Sequence, residues 1–279
     1  MVSDSETNFL YLADTLPEKY PTFYQEFEKV LNSCNIKFKL LPNTKDVWAV
    51  DFMPIQIEKD EFVQFIYNPD YLRDTIKWSK TISDVDAICK AINISPKKSN
   101  IVLDGGNVIR TYNKVIMCDK VFTENSTINE RKLIKKLQSI FQVDKLIFIP
   151  SDPIDFTGHA DGMVRFLDDN TVLINNYSKE DGEFQLRFRL ALHNAGLEYI
   201  EILYNPSGNK KDSYANGIYL NYLQMEEAII IPAFEIKEDE FVVKQFEQLF
   251  KGQTIKTIES NEIARQGGIL NCITWNIQV

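Results

Sequence analysis

Short apolar runs of strand length alternate with longer amphipathic stretches along the chain. "VWAVDFMPIQI" (47–57) and "EFVQFIYN" (61–68) read as two strands around the polar turn at 58–60, because β-branched and aromatic residues cluster there between turn formers. "DTIKWSKTISDVDAICKAI" (74–92) then carries apolar residues at 76, 78, 82, 85 and 88, the spacing of one helix face. The order recurs. "IVLDGGNVIRTY" and "KVIMCD" read as strands, "STINERKLIKKLQSIF" as a helix opened by Ser/Thr caps, and "KLIFIP" as a strand. "GHADGMVRFL" and "TVLINN" precede the helix "GEFQLRFRLALHNAG", stopped at Gly196, and the strand "EYIEIL". "SYANGIYLNYLQ", "EAIIIP", the helix "EDEFVVKQFEQLF" and "TIKTI" make a further round. The chain closes on "GGILNCITWNIQ", and an early helix from Pro17 to Leu31 with the strand "KFKLL" completes that last unit. "LDDN" and "NPSGNKKD" read as turns.

Aligned by their first strands, the rounds compare Asp51, Asn107, Asp161, Gly217 and Cys272, with gaps of 56, 54, 56 and 55 residues. A fixed period of this size signals a repeat architecture rather than independent domains. The expectation is an α/β fold in which five ββαβ units close into a ring, one domain over residues 1–279. The starts of the first strands would then meet at the centre. That point collects Asp51, Asp104 or Asn107, His159 with Asp161, and Cys272.

This combination has a chemical logic. A cysteine is a covalent nucleophile when its thiolate is stabilised, and an imidazolium nearby does that. Two carboxylates around one pocket are costly unless a cation sits between them. A planar guanidinium meets carboxylates in a two-toothed manner. Each residue alone has a plainer reading: Cys272 as a small buried hydrophobe, His159 as a structural hydrogen-bonding residue, Gly-Gly-Asn at 105–107 as a tight bend. Asp51 in an apolar run is the least plain, since a buried carboxylate needs a partner. The other histidine, His193, sits on the last turn of a helix and reads as structural.

Composition narrows the classes. The 279 residues are 44% hydrophobic and 25% charged, as in ordinary globular proteins. A net charge of −9 and a pI near 4.9 argue against nucleic acid or an anionic membrane as partner and suit a cationic ligand. Four scattered cysteines without a CxxC pair read as free thiols in a reducing compartment, not a disulfide framework or zinc site. The N-terminal stretch lacks the basic end and apolar run of a signal peptide, and "EEAIIIPAFEI" is too short to span a bilayer. A soluble cytoplasmic protein is expected.

The runs "VWAVDFMP", "LDGGNVI", "GHADGMVRF" and "GGILNCIT" resemble, in order, four signature blocks of the agmatine deiminase and bacterial-type peptidylarginine deiminase family, a branch of the guanidino-modifying superfamily. They span Val47 to Thr274. The resemblance implies a pentein-like five-bladed α/β-propeller and hydrolysis of a guanidino group to a ureido product and ammonia, without a metal or organic cofactor. It makes Cys272 the nucleophile that forms a thiouronium intermediate and His159 the acid and base. Asp51 and Asp161 become the guanidinium clamps, and Asp104, Asn107, Trp48 and Gly268 pocket residues. Agmatine, arginine or an arginyl peptide would be substrate, the first placing the chain in polyamine (putrescine) biosynthesis; a homo-oligomer is compatible. The chain departs from the family at Val50, where an arginine is usual, at Asn271, where agmatine deiminases commonly have histidine, and at 53–56, where Met-Pro-Ile-Gln replaces the usual Gly-Pro. An amidinotransferase using an amine acceptor and an inactive guanidino-binding relative stay open, and a papain-like protease would leave the paired carboxylates idle. Arg73 or Arg110 could meet a substrate carboxylate, but surface salt-bridging is the plainer reading of both.

Overall fold

The computed structural model describes residues 1–73, 80–205 and 214–279. Among these residues the strands form five three-stranded sheets. Near the start run β1 (Phe9–Ala13) and β2 (Lys37–Leu41), followed by the sheet β3 (Ile55–Glu58), β4 (Glu61–Ile66) and β5 (Lys97–Val102). Next come β6 (Ile109–Arg110), β7 (Lys114–Cys118) and β8 (Lys145–Ile149), then β9 (Val164–Phe166), β10 (Thr171–Asn175) and β11 (Glu198–Ile202). The fourth sheet holds β12 (Leu223–Gln224), β13 (Ala228–Ala233) and β14 (Thr254–Glu259), and β15 (Thr274–Ile277) returns to pair with β1. In every sheet the first strand is antiparallel to the second, and the second is parallel to the third. These are the five blades of an α/β-propeller of the pentein type, as the spacing predicted.

A parallel pair needs a crossover, and each blade has a helix there. The crossover helices are α2 (Pro21–Ser33), α5 (Val85–Ala91), α7 (Glu130–Phe141), α8 (Gly182–Asn194) and α9 (Glu238–Leu249). Their buried residues recur at intervals of four: Phe23, Phe27 and Leu31 on α2, Leu133, Leu137 and Phe141 on α7, Phe184, Phe188 and Leu192 on α8. That stripe lays one helix face on its blade, and each fully buried leucine or phenylalanine contributes roughly 1.5–3 kcal/mol.

The structure corrects several sequence readings. Asp51 is not on a strand but on the one-turn helix α3 (Ala49–Phe52), which stops before Pro54. Asn107 and Asp161 likewise lie on 3₁₀ turns, Gly105–Asn107 and Ala160–Gly162, and Cys272 on a turn just before β15. The first strands begin after these turns, so Ile101 and Val102 belong to β5, the last strand of the preceding blade. The early helix is broken into α1 (Leu16–Lys19) and α2, because Pro21 forces Tyr20 out of the helical region, to φ −135° and ψ 63°. The closing blade takes its middle strand from β1, which the sequence reading did not include and whose antiparallel partner β15 lies at the other end of the chain. Helix α7 is preceded by Asn129 rather than a Ser/Thr cap. Helix α5 opens at an Asp84 cap, so Ile82 precedes it; Ile76, Trp78 and most of "NPSGNKKD" lie outside the described residues. Among the described residues, no helix is long and apolar enough to cross a membrane.

Candidate active site

The turns before the first strands converge on one cavity, lined by Trp48, Asp51, His159, Asp161, Gly268 and Cys272 among others. Four of the five positions aligned at the repeat spacing therefore supply Asp51, Asn107, Asp161 and Cys272 to the central turns. The fifth, Gly217, supplies only backbone, with φ +86°. In its blade the functional side chain is Asn221, two residues before β12, as Cys272 is two before β15.

His159 lies between two carboxylates. Its Nε2 is 2.9 Å from Asp104 Oδ2 and its Nδ1 is 3.5 Å from Asp51 Oδ1. Both ring nitrogens facing acceptors is the environment of an imidazolium, which donates from both. Burial would lower the His159 pKa, but the charges of Asp51 and Asp104 and the bond to Asp104 outweigh it and raise it to about 9. Burial likewise tends to raise Asp104, yet the bond from His159 and the charges of His159 and Lys120 hold it below the ordinary value. Asp51 goes the other way, to about 7: burial and the nearby Asp161 and Asp104 outweigh His159 and the Gly106 amide. That amide donates to Asp51 Oδ1 at 3.1 Å. A side chain at position 106 would collide with both partners, its Cβ 2.6 Å from Asp51 Oδ1 and 2.7 Å from His159 Nδ1. The second glycine of the Gly-Gly-Asn turn thus lets the acid and the imidazole meet.

Cys272 is buried, its Sγ 3.4 Å from Asp161 Oδ2. Asn221 fixes the turn that carries it: its Oδ1 accepts the amides of Ile269, Asn271 and Cys272 at 3.2, 3.1 and 3.3 Å. With the oxygen so engaged, Nδ2 points to Sγ at 3.2 Å. Burial, then the carboxylates of Asp161 and Asp51, push the thiol well above its usual range. Asp161 is raised by burial, against the charge of His159 and the bond from Asn271. Asn271 is itself oriented from below, since the buried Arg165 donates to its Oδ1 at 3.1 Å while its Nδ2 donates to Asp161 Oδ2 at 2.8 Å.

Burial thus raises the Cys272 thiol and the Asp51 and Asp161 carboxyls, each of which would gain from a positive charge beside it, while the carboxylates around His159 favour its imidazolium. A planar cation between Asp51 and Asp161 would replace the missing positive charge and make the thiolate accessible. Gly268 leaves the space for it, because a Cβ there would stand 2.6 Å from the Trp48 ring and 3.0 Å from Cys272 Sγ.

Two sequence-predicted pocket residues are not part of the wall. Asp104 stands behind His159, and Asn107 grips the backbone of Cys118, accepting its amide at 2.7 Å and donating to its carbonyl at 3.4 Å. Arg110 also lies away, paired with Asp4 at 3.1 Å, and the Arg73 side chain falls outside the described residues. His193 is exposed on α8, apart from the site. Sequence reasoning missed Asn221 and Lys120; the only available signal for Asn221 was its own spacing to Cys272. Among the described residues no group of three or more His, Cys, Asp or Glu could hold a metal ion.

The family model for Porphyromonas-type peptidyl-arginine deiminase matches residues 13–277. A putative agmatine deiminase of Mycoplasma mycoides subsp. mycoides is 21% identical over 296 residues, covering 90% of this chain and 80% of that protein. The solved agmatine deiminase of C. jejuni superposes with TM-score 0.82 at 20% identity, over 100% of this chain and 95% of the other. The DDAH of Pseudomonas aeruginosa superposes with TM-score 0.59 at 11% identity, over 97% and 99%. At these identities the structural likeness is one of fold.

Proposed function

The chain belongs to the Porphyromonas-type peptidyl-arginine deiminase family, hydrolases of C–N bonds in linear amidines, and from that premise we propose that it deiminates a small cationic guanidine, agmatine before arginine or an arginyl peptide. Asp51 and Asp161 grip the guanidinium nitrogens and turn the central carbon towards Cys272. As the cation enters, the Cys272 proton passes to solvent and the thiolate adds to that carbon. His159 protonates one terminal nitrogen, the C–N bond breaks and ammonia leaves, so Cys272 carries an S-alkylthiouronium. His159, now neutral, takes a proton from water as it attacks the same carbon; the C–S bond then breaks, releasing the ureido product and the thiol. Orientation, a thiolate and an acid are all needed because a guanidinium is a poor electrophile.

The observation that carries the reading is the meeting of Cys272, His159 and the two buried carboxylates Asp51 and Asp161 in one cavity. The preference for agmatine rests on the rest of the wall. Asp152 and Asp155 line the cavity as well, whereas no described lysine or arginine does. Such a wall suits a second ammonium and disfavours a substrate carboxylate. With agmatine as substrate the reaction would serve putrescine biosynthesis, and a cytoplasmic location fits that role. Because strands near both ends of the chain share one sheet, we take residues 1–279 as one domain.

The test is ammonia release from agmatine, arginine and an arginyl peptide, with Cys272→Ala as control. The expected result is a kcat/KM highest for agmatine and at least about a thousandfold loss in the control. Equal release by both proteins would contradict the reading, and a preference for arginine would contradict its substrate half.

A further inference from the structure

Lys120, on the short helix α6 (Lys120–Glu124), is a buried cation that the reaction as described does not use. Its Nζ lies 3.2 Å from Asp104 Oδ2, the same oxygen that His159 Nε2 meets at 2.9 Å. It donates to the Thr157 carbonyl at 2.6 Å, two residues before His159. It stands 4.8 Å from the centre of the Tyr71 ring and 3.7 Å from Asp70, both on α4 (Asp70–Arg73), and Tyr71 lines the cavity. Its own helix adds Glu124, 3.4 Å away and almost fully buried. One ammonium thus touches three separate parts of the site: the carboxylate behind the histidine, the loop that delivers the histidine, and the wall opposite.

We propose that Lys120 is a positioning residue for the acid–base pair, holding Asp104 against His159 and tying both to the Tyr71 wall of the cavity. This deepens the deiminase reading and rests on it for its kinetic consequences. The physical argument has two parts. A carboxylate shared by two cations is fixed in place, whereas Asp104 with His159 alone would have one bond to hold it in a buried setting. Two positive charges on one oxygen also repel, so the lysine weakens the hold of His159 on its proton. The charged and titratable groups around His159 are Asp51 from α3, Asp104 from the turn after β5, Asp161 from the turn Ala160–Gly162, Lys120 from α6 and Tyr71 from α4, whose ring centre is 6.1 Å from the imidazole. Asp155 accepts the His159 backbone amide at 3.1 Å. Around Lys120 they are Asp104, Glu124, Asp70, Tyr71 and His159. Of these, only the lysine opposes protonation of the histidine by like charge.

The chain has two histidines, so side-chain NMR of histidine-labelled protein reads His159 directly, with His193 as internal reference. Without the lysine charge, in Lys120→Met, the His159 signal is expected to titrate about one pH unit higher, with the His193 signal unchanged. kcat for agmatine should fall about tenfold, KM should change less, and the alkaline limb of the pH profile should move up with the NMR titration. Lys120→Arg should restore the titration. If Lys120→Met does not fold, Lys120→Gln, which keeps a donor for Thr157 without the charge, carries the same test. An unmoved His159 titration in a folded, uncharged variant would overturn the proposal. A wild-type protein that releases no ammonia would instead overturn the deiminase reading, while the NMR result would still decide the role of the lysine.

Discussion

Gly268 shows how closely the site is built around an absent side chain. Its Cα faces the gap between the Trp48 ring and Cys272, and an added Cβ would come within 2.6 Å and 3.0 Å of them. Gly268→Ala should therefore push the sulfur or the indole aside. About a hundredfold loss of kcat/KM is expected with an unchanged melting temperature beyond a few degrees; activity within twofold of wild type would show that the gap is not where the guanidinium lies. The convergence of Cys272, Asp51 and Asp161 on one cavity was legible in the sequence because each is a chemically expensive residue at an equivalent point of the repeat, with His159 two residues before Asp161. Asn221 and Lys120 were not. Asn221 is one polar residue in "YLNYLQ", and its work depends on a turn 51 residues away. Lys120 falls between the strand run "KVIMCD" and the helix run that follows, in a stretch without a period, and only the fold reveals that three chain segments bury it. Asn107 was overread: the Gly-Gly-Asn turn is at the site, but its asparagine braces Cys118 instead of facing the cavity.

At the scale of elements, the crossover helices and the middle and outer strands were legible because they are long enough to carry a period. Helix α7 repeats its buried stripe at Leu133, Leu137 and Phe141, and the middle strand β13 is an apolar run of full strand length. The parts that carry the chemistry are shorter than any period. Helix α3 has four residues, the turns bearing Asn107 and Asp161 three each, and β6 and β12 two each. Patterns of one turn merge with the strand that follows, so Asp51 and Asp161 were read as strand residues. Strand β1 has the burial pattern of β7 and β10, but its antiparallel partner β15 lies at the other end of the chain, so no neighbouring strand in sequence marked it.

For the whole molecule, the same burial that prepares the site for a cation makes stability depend on pH. Asp51, Glu124 and Asp152 are carried by burial first, and then by neighbouring carboxylates, from 3.8, 4.5 and 3.8 to about 7, 7 and 6. The folded chain thus binds more protons than the unfolded one between about pH 4 and 7, and stability falls as the pH rises through that window. His159, raised from 6.5 to about 9, contributes stability that is complete below 6.5 and lost as the pH rises through 9. Asp104, held low, acts in the opposite sense and loses its contribution as the pH falls through the acid range. The melting temperature, followed by circular dichroism, should therefore be highest near about pH 4, the acid edge of that window, and decline towards pH 9. A maximum above pH 8 would contradict this balance of buried groups.

The central claim is that Cys272 takes the guanidino carbon and keeps its alkyl arm while ammonia departs. Intact-mass and peptide spectrometry of the protein quenched in acid during turnover of agmatine tests this most directly. The expected adduct sits on the peptide containing Cys272 and weighs as much as the substrate less ammonia. An adduct bearing only the amidino group would mean that the arm leaves, as in amidino transfer. No adduct on Cys272 during active turnover would contradict covalent catalysis at this residue altogether.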